Sequence, residues 1–232
     1  MARTLALAAA LAAFTLACRS APKRAGEPPV ATVSDADLGR LAPEEMGPFQ
    51  AARATLDEAR DAVARARLRL QDSRHEQEWA NAEKVAAEGD RLLAAAEQSS
   101  AREAGDQRQS ELASERSAAA ALRGQAAAAR LDYAAKLMQA REAEVRTAEA
   151  RARRAEWEIE RAKLTALQRA GLPAASKYDP APIERRIAEA VKAEDGARAK
   201  SRDLGATART AYEQWHSLSE KYEARSRSIP TG

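Results

Sequence analysis

The chain predicts an all-α fold of long antiparallel helical hairpins, of coiled-coil type, behind a disordered N-terminal tether. Three observations predict it. The first is composition. Of 232 residues 61 are Ala, charged residues make up 31%, and Phe, Trp and Tyr together only 4%. Abundant Ala, Glu, Lys, Leu and Arg mark long helices and coiled coils. A large globular core needs the buried area that aromatic side chains carry. The second is period: apolar residues recur every seven positions over most of the chain, as in a helical seam. The third is that no segment alternates β-branched residues or carries an Asn-Gly turn, the marks of strands and hairpins. Together these exclude a β-sandwich or an ordinary α/β enzyme. Lys+Arg number 38 and Asp+Glu 35, for a net charge of +3.

Residues 1–17 read as a signal peptide. Met1-Ala2-Arg3 is a short positive start, and the stretch from Thr4 to Leu16 carries no charge. It is shorter than the roughly 20 apolar residues that span a bilayer. Thr15-Leu16-Ala17-Cys18 resembles the lipobox of bacterial lipoproteins, whose commonest form has Leu where Thr15 stands. The resemblance implies cleavage after Ala17 and diacylation of Cys18, and two or more acyl chains hold a protein stably on a membrane. Arg19, not Asp, follows Cys18. In lipoproteins that implies sorting to the outer membrane of a Gram-negative cell, facing the periplasm. Cys18 is the only cysteine, so no disulfide forms within one molecule.

Residues 18–48 hold the lipidated Cys and a tether. Pro22, Pro28, Pro29, Pro43 and Pro48 punctuate it, and it lacks the apolar pattern needed to order itself. Ala42-Pro43-Glu44-Glu45 can start a short helix, which Gly47-Pro48 is expected to interrupt. Residues 49–170 form the long coiled-coil region. Phe49, Leu56, Val63 and Leu70 stand seven apart, with Ala52, Ala59 and Ala66 three residues behind the first three. The frame then meets Gln77, Lys84 and Arg91 and is expected to end. A new seam is expected on Trp79, Ala86 and Leu93, with Ala82, Gly89 and Ala96. The shift in phase suggests a turn at 72–75, where Asp72 and Ser73 are good N-caps. A second turn is possible at 98–106.

Beyond it Leu112, Ala119, Ala126, Tyr133 and Ala140 share one frame, and Leu131, Met138, Val145, Ala152, Ile159 and Ala166 another. Arg141 interrupts the Ala column that runs through Ala134, Ala148, Ala155 and Ala162. No proline falls between Glu103 and Ala170, so one helix on the order of 100 Å is expected at 1.5 Å per residue. Gly171-Leu172-Pro173 ends it. Residues 171–182 are a loop, with Asp179-Pro180 as the plausible start of the last helix. Residues 183–226 form that heptad helix on Ile183, Ala190, Ala197, Leu204, Ala211 and Leu218, and on Ile187, Ala208, Trp215 and Tyr222. Glu194 and Ser201 are expected to weaken its middle. Residues 227–232 should fray.

The residues that carry chemistry do not gather. His75 and His216 have no ligand partner at metal-site spacing, and no nucleophile elbow, Walker glycine loop or dinucleotide fingerprint occurs. The chain is therefore expected to be no enzyme, with no cofactor, no metal and no small-molecule substrate. Arg151-Ala152-Arg153-Arg154 is the strongest basic run. Acids interleave the bases throughout, so no nucleic acid is expected. Arg151, Arg153 and Arg154 are instead candidates to meet anionic lipid headgroups or an acidic protein partner, and Trp157, off its neighbouring apolar column, is a candidate partner contact. Trp79 and Trp215 lie on seam frames and are expected to pack. Ala contributes little buried area, so a protein partner, or self-association through the heptad seams, is expected to supply the rest.

Tyr133-Ala134-Ala135-Lys136-Leu137, Arg141-Glu142-Ala143-Glu144-Val145 and Ala148-Glu149-Ala150-Arg151, with the lipobox and tether, resemble Ala-rich bacterial lipoproteins of the domain-of-unknown-function type. The resemblance covers about residues 49–170. It implies a non-enzymatic, lipid-anchored periplasmic protein that scaffolds or spaces envelope components. The alternative is an accessory subunit of an envelope transport, secretion or motility complex. The long helices also resemble the periplasmic hairpins of outer-membrane efflux channels, without that family's barrel strands.

Overall fold

A computed structural model describes residues 30–230. The signal peptide and Cys18 lie outside the described residues. Residues 31–230 belong to one compact unit, Ala31–Gly232. Among the described residues there is no strand, and the fold is all-α, as the composition predicts. Three long helices carry it: α2, Gly47–Glu103, α3, Gln107–Arg169, and α4, Pro180–Ser228. A one-turn helix α1, Asp35–Leu38, and a 3-10 turn, Pro43–Met46, precede them. Helix α3 is central and packs against α2 on one side and α4 on the other.

The turns follow local chemistry. Gly105 ends α2 with φ of 70°, a conformation that costs glycine little because it has no Cβ. The Asp106 side chain then accepts from the Gln109 N–H at 3.0 Å, capping α3. Of the alternatives at 98–106, a turn forms, at Ala104-Gly105-Asp106. Gly171, with φ of 63°, ends α3, and the Leu172 N–H reaches back to the Leu167 carbonyl at 3.1 Å, as in a Schellman cap. Pro173–Lys177 makes a 3-10 turn within the expected loop. Asp179 caps α4 through the Ala181 N–H at 3.0 Å, and Pro180 fills the first helical position, where its missing N–H costs nothing.

Three expectations are corrected. The turn at 72–75 does not form, because α2 runs through it unbroken. The Ala column never lost phase: Ala59, Ala66, Ser73, Ala80, Ala87 and Ala94 are all buried at strict seven-residue spacing. Only the large-residue column changed character, and Gln77 and Lys84 stay half-buried in it. Second, Trp79, Ala86 and Leu93 form no seam among the described residues; all three are exposed, Trp79 at 72%. Third, the tether is ordered before residue 48. Val33 and Leu38 are buried, and Pro48 opens the first turn of α2 instead of interrupting a helix.

Small residues face small residues between α2 and α3. Ala59 and Ala155 share a cluster with Leu56 and Ile159. From there, seven residues forward on α2 match seven back on α3, setting Ala66 against Ala148, Ser73 against Arg141, Ala80 against Ala134 and Ala87 against Ala127. Ion pairs follow the same register. Arg60 meets Glu156 at 4.0 Å and Arg67 meets Glu149 at 2.8 Å. Nearer the turn the signs reverse: Glu83 meets Arg130, Asp90 meets Arg123, and Glu97 meets Arg116 at 3.6 Å. Each helix thus presents bases in its first half and acids in its second. Antiparallel alignment pairs opposite signs, and parallel alignment would oppose like signs, which is destabilising.

Larger side chains concentrate where α3 ends and α4 begins. Leu164, Leu167, Ile183 and Ile187 are buried there. Both heptad columns expected for the last helix face inward, every member of them buried or half-buried.

Candidate functional site

The departures from the Ala pattern meet near the middle of the bundle. Ser73 and Arg141 are the polar rungs of the α2–α3 ladder. Tyr133 stands between Ala126 and Ala140 in its column of α3, and Trp215 in one of the two inward columns of α4. Tyr133 and Trp215 stack at 5.6 Å between ring centroids, 9° from parallel. Tyr212 sits edge-on to both, at 5.4 Å and 5.6 Å, and tilts against His216 at 5.8 Å. These separations suit aromatic pairs, whose rings favour offset and edge-to-face geometry.

Arg130 ties this cluster to α2. Its Nε and Nη2 donate to Glu76 Oε1 at 3.1 and 2.8 Å, and its Nη1 donates to Glu83. The guanidinium lies 5.5 Å from the centre of the Trp215 ring, a cation–π contact. One side chain of α3 therefore holds two carboxylates of α2 and one aromatic of α4. Burial alone would lower the Arg130 pKa, but the hydrogen bonds and negative charges of Glu76 and Glu83 outweigh it and raise it. Burial is also the main cause that pushes the Tyr133 phenol up, with Glu76 adding and Arg141 opposing. Both groups are protonated at neutral pH at their ordinary values, and the raised values leave them so. Ser73, Tyr133, Arg141 and Trp215 line an open groove of about 420 Å³ beside it.

The residues singled out in the sequence fall elsewhere and do not converge. Arg151 and Arg153 are exposed and Trp157 is half-buried, all on α3. Arg153 lies with Arg60, Arg67 and Glu149 along a shallow groove. Arg154 is used inside the fold: it meets Glu194 of α4 at 2.9 Å and Glu158 at 3.4 Å. Glu194 is 2% exposed and also takes Arg198 at 2.7 Å. Glu194, in the polar middle of α4, is thus bridged to α3. Among the described residues no group of His, Cys, Asp and Glu is placed to hold a metal ion, and no helix is long and apolar enough to cross a membrane.

Sequence reasoning missed Arg130 and the Tyr133–Tyr212–Trp215 cluster as a unit. The signal was present: Tyr133 follows two Ala residues in its inward column of α3, and Trp215 stands in an inward column of α4. What one helix's sequence does not contain is the register that brings the two columns level.

A second polar cluster fastens the N-terminal segment. The Val33 N–H donates to Glu160 Oε2 at 2.8 Å. Tyr178 donates its hydroxyl proton to Asp37 at 2.8 Å and accepts from the Ser34 N–H at 3.1 Å. Lys163 reaches Glu160 at 2.9 Å and Asp35 at 3.6 Å. The strap so formed lies across the end of the bundle where α2 starts, α3 ends and α4 starts.

No protein-family model, curated protein or solved structure matches this chain.

Proposed function

We infer that the chain is a non-enzymatic, lipid-anchored coiled-coil protein on the periplasmic face of an outer membrane, where it spaces or scaffolds envelope components. The fastening of the N-terminal strap carries this reading. Residues 19–32 separate Cys18 from the first fixed point, Val33, and fully extended they reach at most about 50 Å. A lipid on Cys18 would thereby pull on the bundle at the strap. The other end, the α2–α3 turn, lies a helix length away: 57 residues on α2 and 63 on α3, or on the order of 85–95 Å at 1.5 Å per residue. A rod held at one end by lipid suits a spacer. The sign-sorted ion pairs that specify its antiparallel alignment add to that suitability.

The test compares the wild-type chain with Cys18→Ala by membrane fractionation and intact mass. The expected result is a diacylated wild type in the outer-membrane fraction and an unlipidated, soluble variant. Two equally soluble, unlipidated proteins would overturn the reading.

A further inference from the structure

Helix α2 carries two apolar faces, and among the described residues only one is covered. The Ala59–Ala94 column is buried on α3. On the other face Trp79, Val85, Leu92 and Leu93 are exposed by 72%, 61%, 67% and 64%. Ala82, Ala86, Gly89 and Ala96 are exposed among them. These residues keep heptad order, with Trp79, Ala86 and Leu93 on one core position and Ala82, Gly89 and Ala96 on the other. This is the seam the sequence predicts, complete but without a partner among the described residues.

We propose that α2 pairs through this seam with α2 of a second copy, antiparallel and about a two-fold axis between Ala86 and Gly89. Size complementarity selects the occupant and the direction. Antiparallel coiled coils set one core position against the other. Here that places Trp79 on Ala96 of the second copy, Leu93 on Ala82, and Ala86 on Gly89, so each bulky side chain meets a small one. Parallel pairing would set Trp79 on Trp79 and Gly89 on Gly89, crowding one layer and leaving a void in another, both destabilising. The flanks agree. Antiparallel pairing brings Val85 beside Leu92 on one edge. On the other edge Glu83, Asp90 and Glu97 are already matched by Arg130, Arg123 and Arg116 of their own chain.

The area is sufficient. At their exposures the four large residues offer roughly 500 Å² per chain, so two-fold pairing removes roughly 1,000 Å², where specific interfaces begin. The contact is isologous and closes as a dimer. It rests on α2 alone and stands whether or not Cys18 is lipidated.

The experiment uses the chain with Cys18→Ser, by sedimentation equilibrium and far-ultraviolet circular dichroism. A dimer is expected. Leu93→Arg should weaken it on the order of 100-fold or more, since it buries an unpaired charge. Gly89→Leu should do the same, although the monomer has room there: a Cβ on Gly89 meets nothing within 4 Å. Helicity should be unchanged in both, so loss of the dimer is separable from loss of the fold. Direction is read by cysteine crosslinking. The Trp79→Cys, Ala96→Cys double variant should form a disulfide-linked dimer. Ala96→Cys alone should not, because two such residues lie roughly 25 Å apart in the antiparallel pair. A chain that stays monomeric at micromolar concentration overturns the proposal. So does a dimer that survives both Leu93→Arg and Gly89→Leu, as does efficient crosslinking by Ala96→Cys alone. A monomer that captures a different helical protein on Trp79 overturns it in favour of a hetero-partner.

Discussion

Arg130 and Glu194 show how single residues specify this bundle where Ala cannot. An alanine ladder is repetitive, and a slip of seven residues changes few of its contacts. Arg130, joined to Glu76, Glu83 and Trp215, fits one register. Glu194, buried against Arg154 and Arg198, fixes α4 on α3 in the same way. Glu194→Ala should destabilise the protein by about 2 kcal/mol in urea unfolding, below the ~3–5 kcal/mol of a fully buried broken pair. The reduction reflects the Arg154 side chain, which is 30% exposed and can turn to water. Tyr133 supplies a pH prediction. Its folded pKa lies above the ordinary 10.0, so the folded state keeps a proton that the unfolded chain releases. The stability this contributes is complete below the unfolded pKa and is lost as pH rises through the folded one. Above pH ~10, wild type should lose stability faster than Tyr133→Phe, measured by urea unfolding across that range.

At the scale of the helix, small side chains set how closely α2 and α3 approach. A larger residue on the ladder has nowhere to go without parting them. Ala87→Leu, fully buried at present, should destabilise by about 1–3 kcal/mol by overpacking, despite the good helix propensity of Leu. Thermal unfolding would measure it, and no loss would mean that the two helices are not in close contact at that rung. Ser73 marks the contrast between local and tertiary reading. Beside Asp72 it has the chemistry of an N-cap, yet in α2 its hydroxyl donates to the Leu70 carbonyl at 2.8 Å and the helix continues. Its local preference yields to the Ala column that runs through it on both sides. Pro48 likewise starts a helix because it falls in a first turn.

For the whole molecule, the strap at the end of the bundle links the tether to all that follows. Its hydrogen bonds span from residue 33 to residue 178. Tyr178→Phe removes the hydroxyl that meets both Asp37 and Ser34. It should raise hydrogen exchange of residues 33–46 by roughly tenfold, the equivalent of about 1.4 kcal/mol for two lost hydrogen bonds, and leave the long helices protected. Equal protection in variant and wild type would show that burial of Val33 and Leu38, with the Glu160 and Lys163 contacts, holds the strap without the Tyr178 hydroxyl.

Much of this architecture was legible in the residues. Heptad columns, the absence of strand signals and the Gly-Pro punctuation are local properties, and they determined the helical class, the stop at Gly171-Leu172-Pro173, the turn near Gly105 and the inward faces of α4. The tertiary structure decided which column of α2 is covered, because two apolar faces compete and only the approach of α3 selects between them. It also decided that α2 runs unbroken past Ser73, that Arg154 turns inward to Glu194, and that Arg130 meets Trp215. Each of these depends on register between helices, a relation between distant residues that the period of one helix does not contain.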